Sequence, residues 1–184
     1  MRFWKTKTPA WKSSLYGLVG GAAGTLVMEG YWKALNALTG YDPKKSRKTA
    51  APRSADVSLV GHPMREGEDS TETVGRVAYE AIAGNSPRSP KTRKALGQSV
   101  HWTYGTVQGG VYGAARRDAH ALDALGGAAF GTALWGISVL VLPLLGLGKA
   151  PNAYPAKKHA AEWGAHVVYG LTAAAVTQAL SRLS

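Results

Sequence analysis

Four ionisable residues stand inside apolar stretches of this chain: Glu29, His101, Glu162 and His166. A carboxylate or imidazole in such a setting is costly, and it ordinarily faces a protein interior or a water-filled cavity. Spacing gives each of them company. His159, Glu162, His166 and Tyr169 recur at i+3 and i+4, so they share one helical stripe. The same spacing joins His101, Gly105, Gln108 and Tyr112, and again Thr25, Glu29, Lys33 and Asn36.

Three chemistries suit such residues. The first is structural: Glu29 pairs with Lys33 one turn on, while Glu162 and the histidines hydrogen-bond across helices as polar glue. The second is a metal site. His101, Glu162 and His166 offer the imidazole and carboxylate ligands that a divalent transition metal takes, although E-x-x-x-H departs from the E-x-x-H of ferritin-like bundles. The third is proton handling or transport, since partly desolvated Glu and His titrate near neutral pH. A haem held by His101 and His166 is disfavoured by two carboxylates at the same depth. The chain has no Cys, which excludes disulfides, a thiolate zinc site and a Cys nucleophile. Neither a Ser-His-Asp order nor a phosphate-cradling loop is present, so no enzyme is expected. His62 and His120 are lone loop histidines, read as solvated.

The elements that must position these groups are membrane spans. A bilayer core needs about 20 mostly apolar residues per helix. Four windows meet that length: 14–38, 95–115, 121–148 and 158–183. The third carries no charge from Leu125 to Gly148, and Pro143 marks a kink in it. Glycines recur at G-x-x-x-G spacing: Gly20 and Gly24; Gly105, Gly109 and Gly113; Gly127 and Gly131. Such small residues let helix backbones approach inside a bilayer. Trp32, Trp102 and Trp163 stand near window ends, where amphipathic rings favour the interface. The mean hydropathy of −0.13 resembles a soluble protein only because charge and apolar residues lie in separate blocks. The fold predicted is all-α: a polytopic four-helix transmembrane bundle forming a single membrane domain over 1–184. The basic N-terminus followed by an apolar run resembles a signal peptide, but the apolar character resumes beyond Glu29, so a retained first span is expected.

Counting 1.5 Å per residue from the loops they share, Glu29, His101, Glu162 and His166 lie roughly 6–14 Å below one surface. That places two carboxylates and two imidazoles in one layer.

Residues 39–94 form a long polar loop. Within it Val74, Val77, Ala78, Ala81 and Ile82 follow helical periodicity, Asp69 and Glu72 make a capping-box start, and Gly84-Asn85 a stop. This predicts a short amphipathic helix over 71–83, packed on the bundle by its apolar face or lying on the membrane surface. The net charge of +11 crowds beside the spans, where basic residues meet anionic head groups. No nucleic-acid-binding motif accompanies it, so the partner expected is the lipid bilayer, together with a homo-oligomer or a larger membrane complex through the glycine faces. The Lys/Arg distribution leans towards a cytoplasmic long loop, while the basic N-terminus pulls the other way.

The run GLVGGAAGTLVMEGYWK, the later APR, SVHWTYG, and FGTALWGISVLVLPLLGLG followed by HAAEWGAHVVYG resemble the YagU-like family of small bacterial inner-membrane proteins. The resemblance covers the spans, with His101, Pro143, Glu162 and His166 in similar contexts, and hardly touches residues 55–90. It implies a helical bundle in the bacterial inner membrane and implies no reaction.

Overall fold

The computed structural model of the chain describes residues 9–42, 58–59, 64–65, 67–116 and 123–183. His62, His120 and the basic stretch from 43 to 57 lie outside them. Among the described residues the secondary structure is entirely helical: α1 (Ala10–Thr39), α2 (Ser70–Ala83), α3 (Pro90–Ala115), α4 (Ala124–Leu144), a 3-10 turn (Pro151–Ala153) and α5 (Ala156–Arg182). Of these, α4 alone is long and apolar enough to cross a membrane. The others are diluted by Gly, Ser and charged residues. The chain divides into two compact units. One holds Met1–Ala34, Tyr104–Thr132 and Gly164–Ser184; the other holds Leu35–Thr103 and Ala133–Trp163.

The first unit is built on backbone contact. A Cβ added to Gly109 of α3 would strike the Gly17 carbonyl oxygen and the Gly21 backbone of α1. One added to Gly113 would meet the Ser13 carbonyl and Gly17, and one on Gly105 would meet Thr25. Gly20 and Gly24 face α5, where an added Cβ would lie 2.6 Å from the Ala173 carbonyl oxygen and 2.8 Å from that of Tyr169. Gly127 and Gly131 of α4 abut the carbonyls of Gly170 and His166. With so little side chain between helices, polar groups reach main chain directly: the Tyr169 hydroxyl donates to the Gly105 carbonyl at 2.5 Å.

Thr25, Tyr112, Thr177 and Gln178 are buried in this unit, while Leu15, Val19, Leu26, Val107, Val111 and Leu125 are exposed. Water-soluble helices turn the opposite faces inward. At one end, Asp123 caps α4 by accepting from Gly126 N at 3.1 Å, and it accepts from the Tyr112 hydroxyl at 2.7 Å and Arg116 Nη2 at 2.8 Å. Its own N–H donates to Gln178 Oε1 at 3.0 Å.

In the second unit, α4 stops earlier than the 121–148 window. The N–H of Leu147 bonds the Leu142 carbonyl at 2.8 Å, that of Gly146 bonds the Pro143 carbonyl at 2.9 Å, and Gly146 is left-handed at φ 65. This is a Schellman stop. Pro143 therefore sits in the final turn, one residue before the helix ends, and is not a kink in mid-span.

Helix α2 starts on a full capping box. Asp69 accepts from Glu72 N at 2.8 Å, and Glu72 Oε2 accepts from Asp69 N at 3.3 Å. Its stop is Gly84 at φ 67. The face it buries differs from the apolar stripe that the periodicity singled out. Thr73, Gly75 and Arg76 are buried, whereas Val77, Ala78, Ala81 and Ile82 are exposed, Ile82 at 89%. The reason is steric and ionic. Gly75 and Gly97 let α2 and α3 approach closely at Leu96 and Glu72. Beneath them Arg76 Nε donates to Glu68 Oε1 at 2.7 Å, with both side chains only 3% exposed. Thr73 Oγ1 also donates to Glu68, and Arg76 reaches Glu80 at 2.9 Å.

Two outcomes follow for this architecture. Gly109→Ala has no flexible neighbour to displace, so it lowers stability by about 1–3 kcal/mol or more, whereas Gly30→Ala, with nothing within 4 Å, leaves thermal unfolding in detergent unchanged. For Glu68, burial pushes the carboxyl up, but the Arg76 hydrogen bond and charge, the Arg65 N–H and Thr73 together bring it below its ordinary value of 4.5. Its contribution is therefore complete above that value and lost as pH falls through it towards the lowered folded one. Arg76→Ala strands the carboxylate and costs about 3–5 kcal/mol at neutral pH. Acid unfolding curves should show that deficit shrinking as Glu68 protonates.

Candidate functional site

The second unit also contains a small polar cavity of about 100 Å³. Its polar walls come from Ser70, Ser138, Tyr154, Lys158, His159 and Glu162, with Leu142 and Pro143 on the apolar side. Proline placement builds it. Pro151 opens the 3-10 turn, Pro155 precedes α5, and the Lys158 N–H bonds back to the Pro155 carbonyl at 2.9 Å. The first two turns of α5 then present Lys158, His159 and Glu162 on adjacent faces.

Lys158 is nearly buried, at 7% exposure. Its ammonium lies 2.6 Å from Glu162 Oε1 and 3.7 Å from the centre of the Tyr154 ring. This pair does not help the helix. A lysine at a helix N-terminus opposes the macrodipole, and Lys before Glu is the weaker order for an i,i+4 pair. α5 has no acidic residue in its first turn and carries Lys157, Lys158 and His159 there instead. The local cost is offset by what these residues contact, which is the wall of the cavity.

His159 has a defined tautomer. Its Nε2 lies 2.8 Å from the Pro151 carbonyl oxygen. A carbonyl only accepts, so Nε2 carries the hydrogen and Nδ1 of the neutral ring is a bare acceptor. Among the described residues that buried Nδ1 has no hydrogen-bond partner. Trp135 and Tyr154 hold the ring edge-on, each with its centroid 6.4 Å away, at 77° and 81°.

The four residues that the sequence singled out divide between the units. Glu162 lines the cavity, and His101 belongs to the same unit in α3. Glu29 of α1 and His166 of α5 belong to the other unit, where the His166 carbonyl packs against Gly131. All four are half-buried and engaged with neighbouring groups. Among the described residues, no three His, Asp or Glu side chains are grouped so as to hold a metal ion. The set of His101, Glu162 and His166 is thus not a preassembled metal centre. Sequence reasoning placed His159 on the right stripe but gave it no role, and it treated Lys158 as the edge of a span. The available signal was a run of basic residues at a helix start, where the dipole disfavours them.

No family model matches the chain, nor does any curated protein or solved structure. The likeness to the YagU-like proteins accordingly stands on the residues quoted for it.

Lys158→Met removes both the ion pair and the cation–ring contact and leaves Glu162 under-satisfied, at a cost of about 1–3 kcal/mol. Glu162→Gln keeps an acceptor for the ammonium and costs less. Thermal unfolding of the two variants in detergent should rank them in that order.

Proposed function

We propose that this chain is a multi-pass protein of the bacterial inner membrane, with α1, α3, α4 and α5 as its spans, whose polar helix residues handle protons. The membrane part of this reading is supported by the inverted burial pattern. Each of the four long helices exposes large apolar side chains, such as Leu26 on α1, Val107 on α3, Leu140 on α4 and Leu171 on α5, while glycines, threonines and tyrosines fill the packed interior. In water that exterior would be an aggregation surface; in hydrocarbon it is solvated. The outward apolar stripe of α2 suits a helix lying at the interface.

The observation that carries the proton reading is the Lys158–Glu162 pair beside a polar cavity, on a helix whose N-terminus pays electrostatically to present it. Cation binding remains the other form of the same function, but the lack of a three-ligand cluster among the described residues favours protons over a transition metal. Glu29, His101 and His166 complete the polar set.

A second reading has its own support. The direct backbone contacts of Gly109 with Gly17 and Gly21, and of Gly127 with Gly170, suit a rigidly packed structural or accessory subunit, whose association with a second copy or a larger membrane complex would use faces other than these glycines. There the polar residues serve only packing.

Reconstitution separates the two. Under an imposed potential, wild-type proteoliposomes should acidify internally, and Glu162→Gln or His166→Asn should cut the flux by about 10²-fold, the scale of a lost acid–base group, while the variants stay folded at the assay temperature. Equal traces from empty and loaded vesicles would leave the packing reading.

A further inference from the structure

The cavity in the second unit has one wall group whose chemistry is unfinished. His159 donates through Nε2 to the Pro151 carbonyl and leaves Nδ1 buried, basic and without a partner among the described residues. Buried polar atoms are almost always paired, by protein or by ordered water. The same ring lines a cavity with room for a few waters and with Ser70, Ser138, Tyr154 and Glu162 as further hydrogen-bonding groups. We propose that His159 is the proton-accepting residue of this cavity, taking a proton at Nδ1 from water that enters it. The inference rests on the proton-handling reading above and moves its centre from the His101 and His166 of the sequence pattern to His159.

The step balances simply. A hydronium ion reaching the cavity gives one proton to the Nδ1 lone pair and is left as water, the neutral ring becomes an imidazolium, and the Nε2–H bond to Pro151 is untouched. The return step gives the proton to a cavity water, which leaves as hydronium. Because Nε2 stays anchored, the ring does not flip between the two states, and Trp135 and Tyr154 keep it edge-on throughout. The titratable and charged groups around it are Lys158 and Glu162 from α5 and Tyr154 and Lys149 from the preceding turn; α4 contributes the uncharged Trp135 and Ser138, and α2 the Ser70 hydroxyl. Glu162 is already committed to Lys158. His159 is thus the base in this wall whose accepting atom is not spoken for.

The test uses His159→Gln. Its amide N–H replaces the Nε2 donor to Pro151, and the Nδ1 lone pair is lost. In the full chain in lipid nanodiscs, nitrogen NMR of labelled histidine, with His159 assigned by its absence in the variant, should show hydrogen on Nε2 at high pH. On acidification a second hydrogen should appear at Nδ1, with exchange cross-peaks to water. In proteoliposomes His159→Gln should lower proton flux as deeply as Glu162→Gln while unfolding at the wild-type temperature. A hydrogen found on Nδ1 at high pH, or wild-type flux in His159→Gln beside a dead Glu162→Gln, overturns the proposal and leaves the proton function standing. Absent flux in the wild type itself ends the proton function, and the NMR result then decides His159 alone.

Discussion

Helix backbones that touch are the constraint from which most of this structure follows. At Gly109, Gly17 and Gly21 there is no side chain between two main chains. Such proximity cannot be reached by ordinary apolar packing, in which interdigitated side chains hold axes about 8–10 Å apart. It shifts cohesion from buried hydrocarbon to dispersion between main chains and to hydroxyls that find carbonyls. The Tyr169 hydroxyl of α5 bonds the Gly105 carbonyl of α3 at 2.5 Å, while Thr25 and Thr177 bond back to the carbonyls of Gly21 and Ala173 in their own helices. The large apolar side chains, having no interior to fill, are displaced outward.

The second unit solves a related problem with charge. Its interior holds Arg76 against Glu68 and Lys158 against Glu162, each pair one or two helical turns apart in sequence and largely withdrawn from solvent. Buried ion pairs of this kind seldom add net stability, since desolvation consumes most of the attraction. What they add is geometric definition: Arg76 sets which face of α2 turns inward, and Lys158 sets where the Glu162 carboxylate sits. A cavity bordered by such fixed charges keeps its shape without needing many side chains to fill it.

The capping box at Asp69 and Glu72, the stop at Gly84 and the helical character of every apolar window follow from local rules, and the structure has helices in each place. Local rules fell short where a tertiary contact outweighed them. The stripe of Val77, Ala78, Ala81 and Ile82 gives the right periodicity for α2, yet the helix turns Thr73 and Arg76 inward, because Gly75 admits α3 and Glu68 lies eight residues away. Depth counted along separate helices aligned Glu29, His101, Glu162 and His166, but one coordinate per helix says nothing about rotation, and they fall into two units. Asp123 falls inside the 121–148 window, and the sequence pattern gives it no role. Its role becomes visible only once Tyr112 and Arg116, at the end of α3, and Gln178 of α5 are brought to it.

The end of α4 ties distant parts of the chain together. Its Leu144 carbonyl accepts from Leu59 N at 2.8 Å, and the Gly146 carbonyl from Met64 N at 3.3 Å. The donors are synthesised well before the acceptors, with all of α2 and α3 between them. These main-chain bonds close a loop of more than eighty residues, so they belong among the last contacts of folding. Until α4 is made, the Leu59 and Met64 N–H groups lack these acceptors. The docking of Leu59 and Met64 is therefore timed by the arrival of the most apolar helix, whose C-terminal end acts as a clock as well as a clasp.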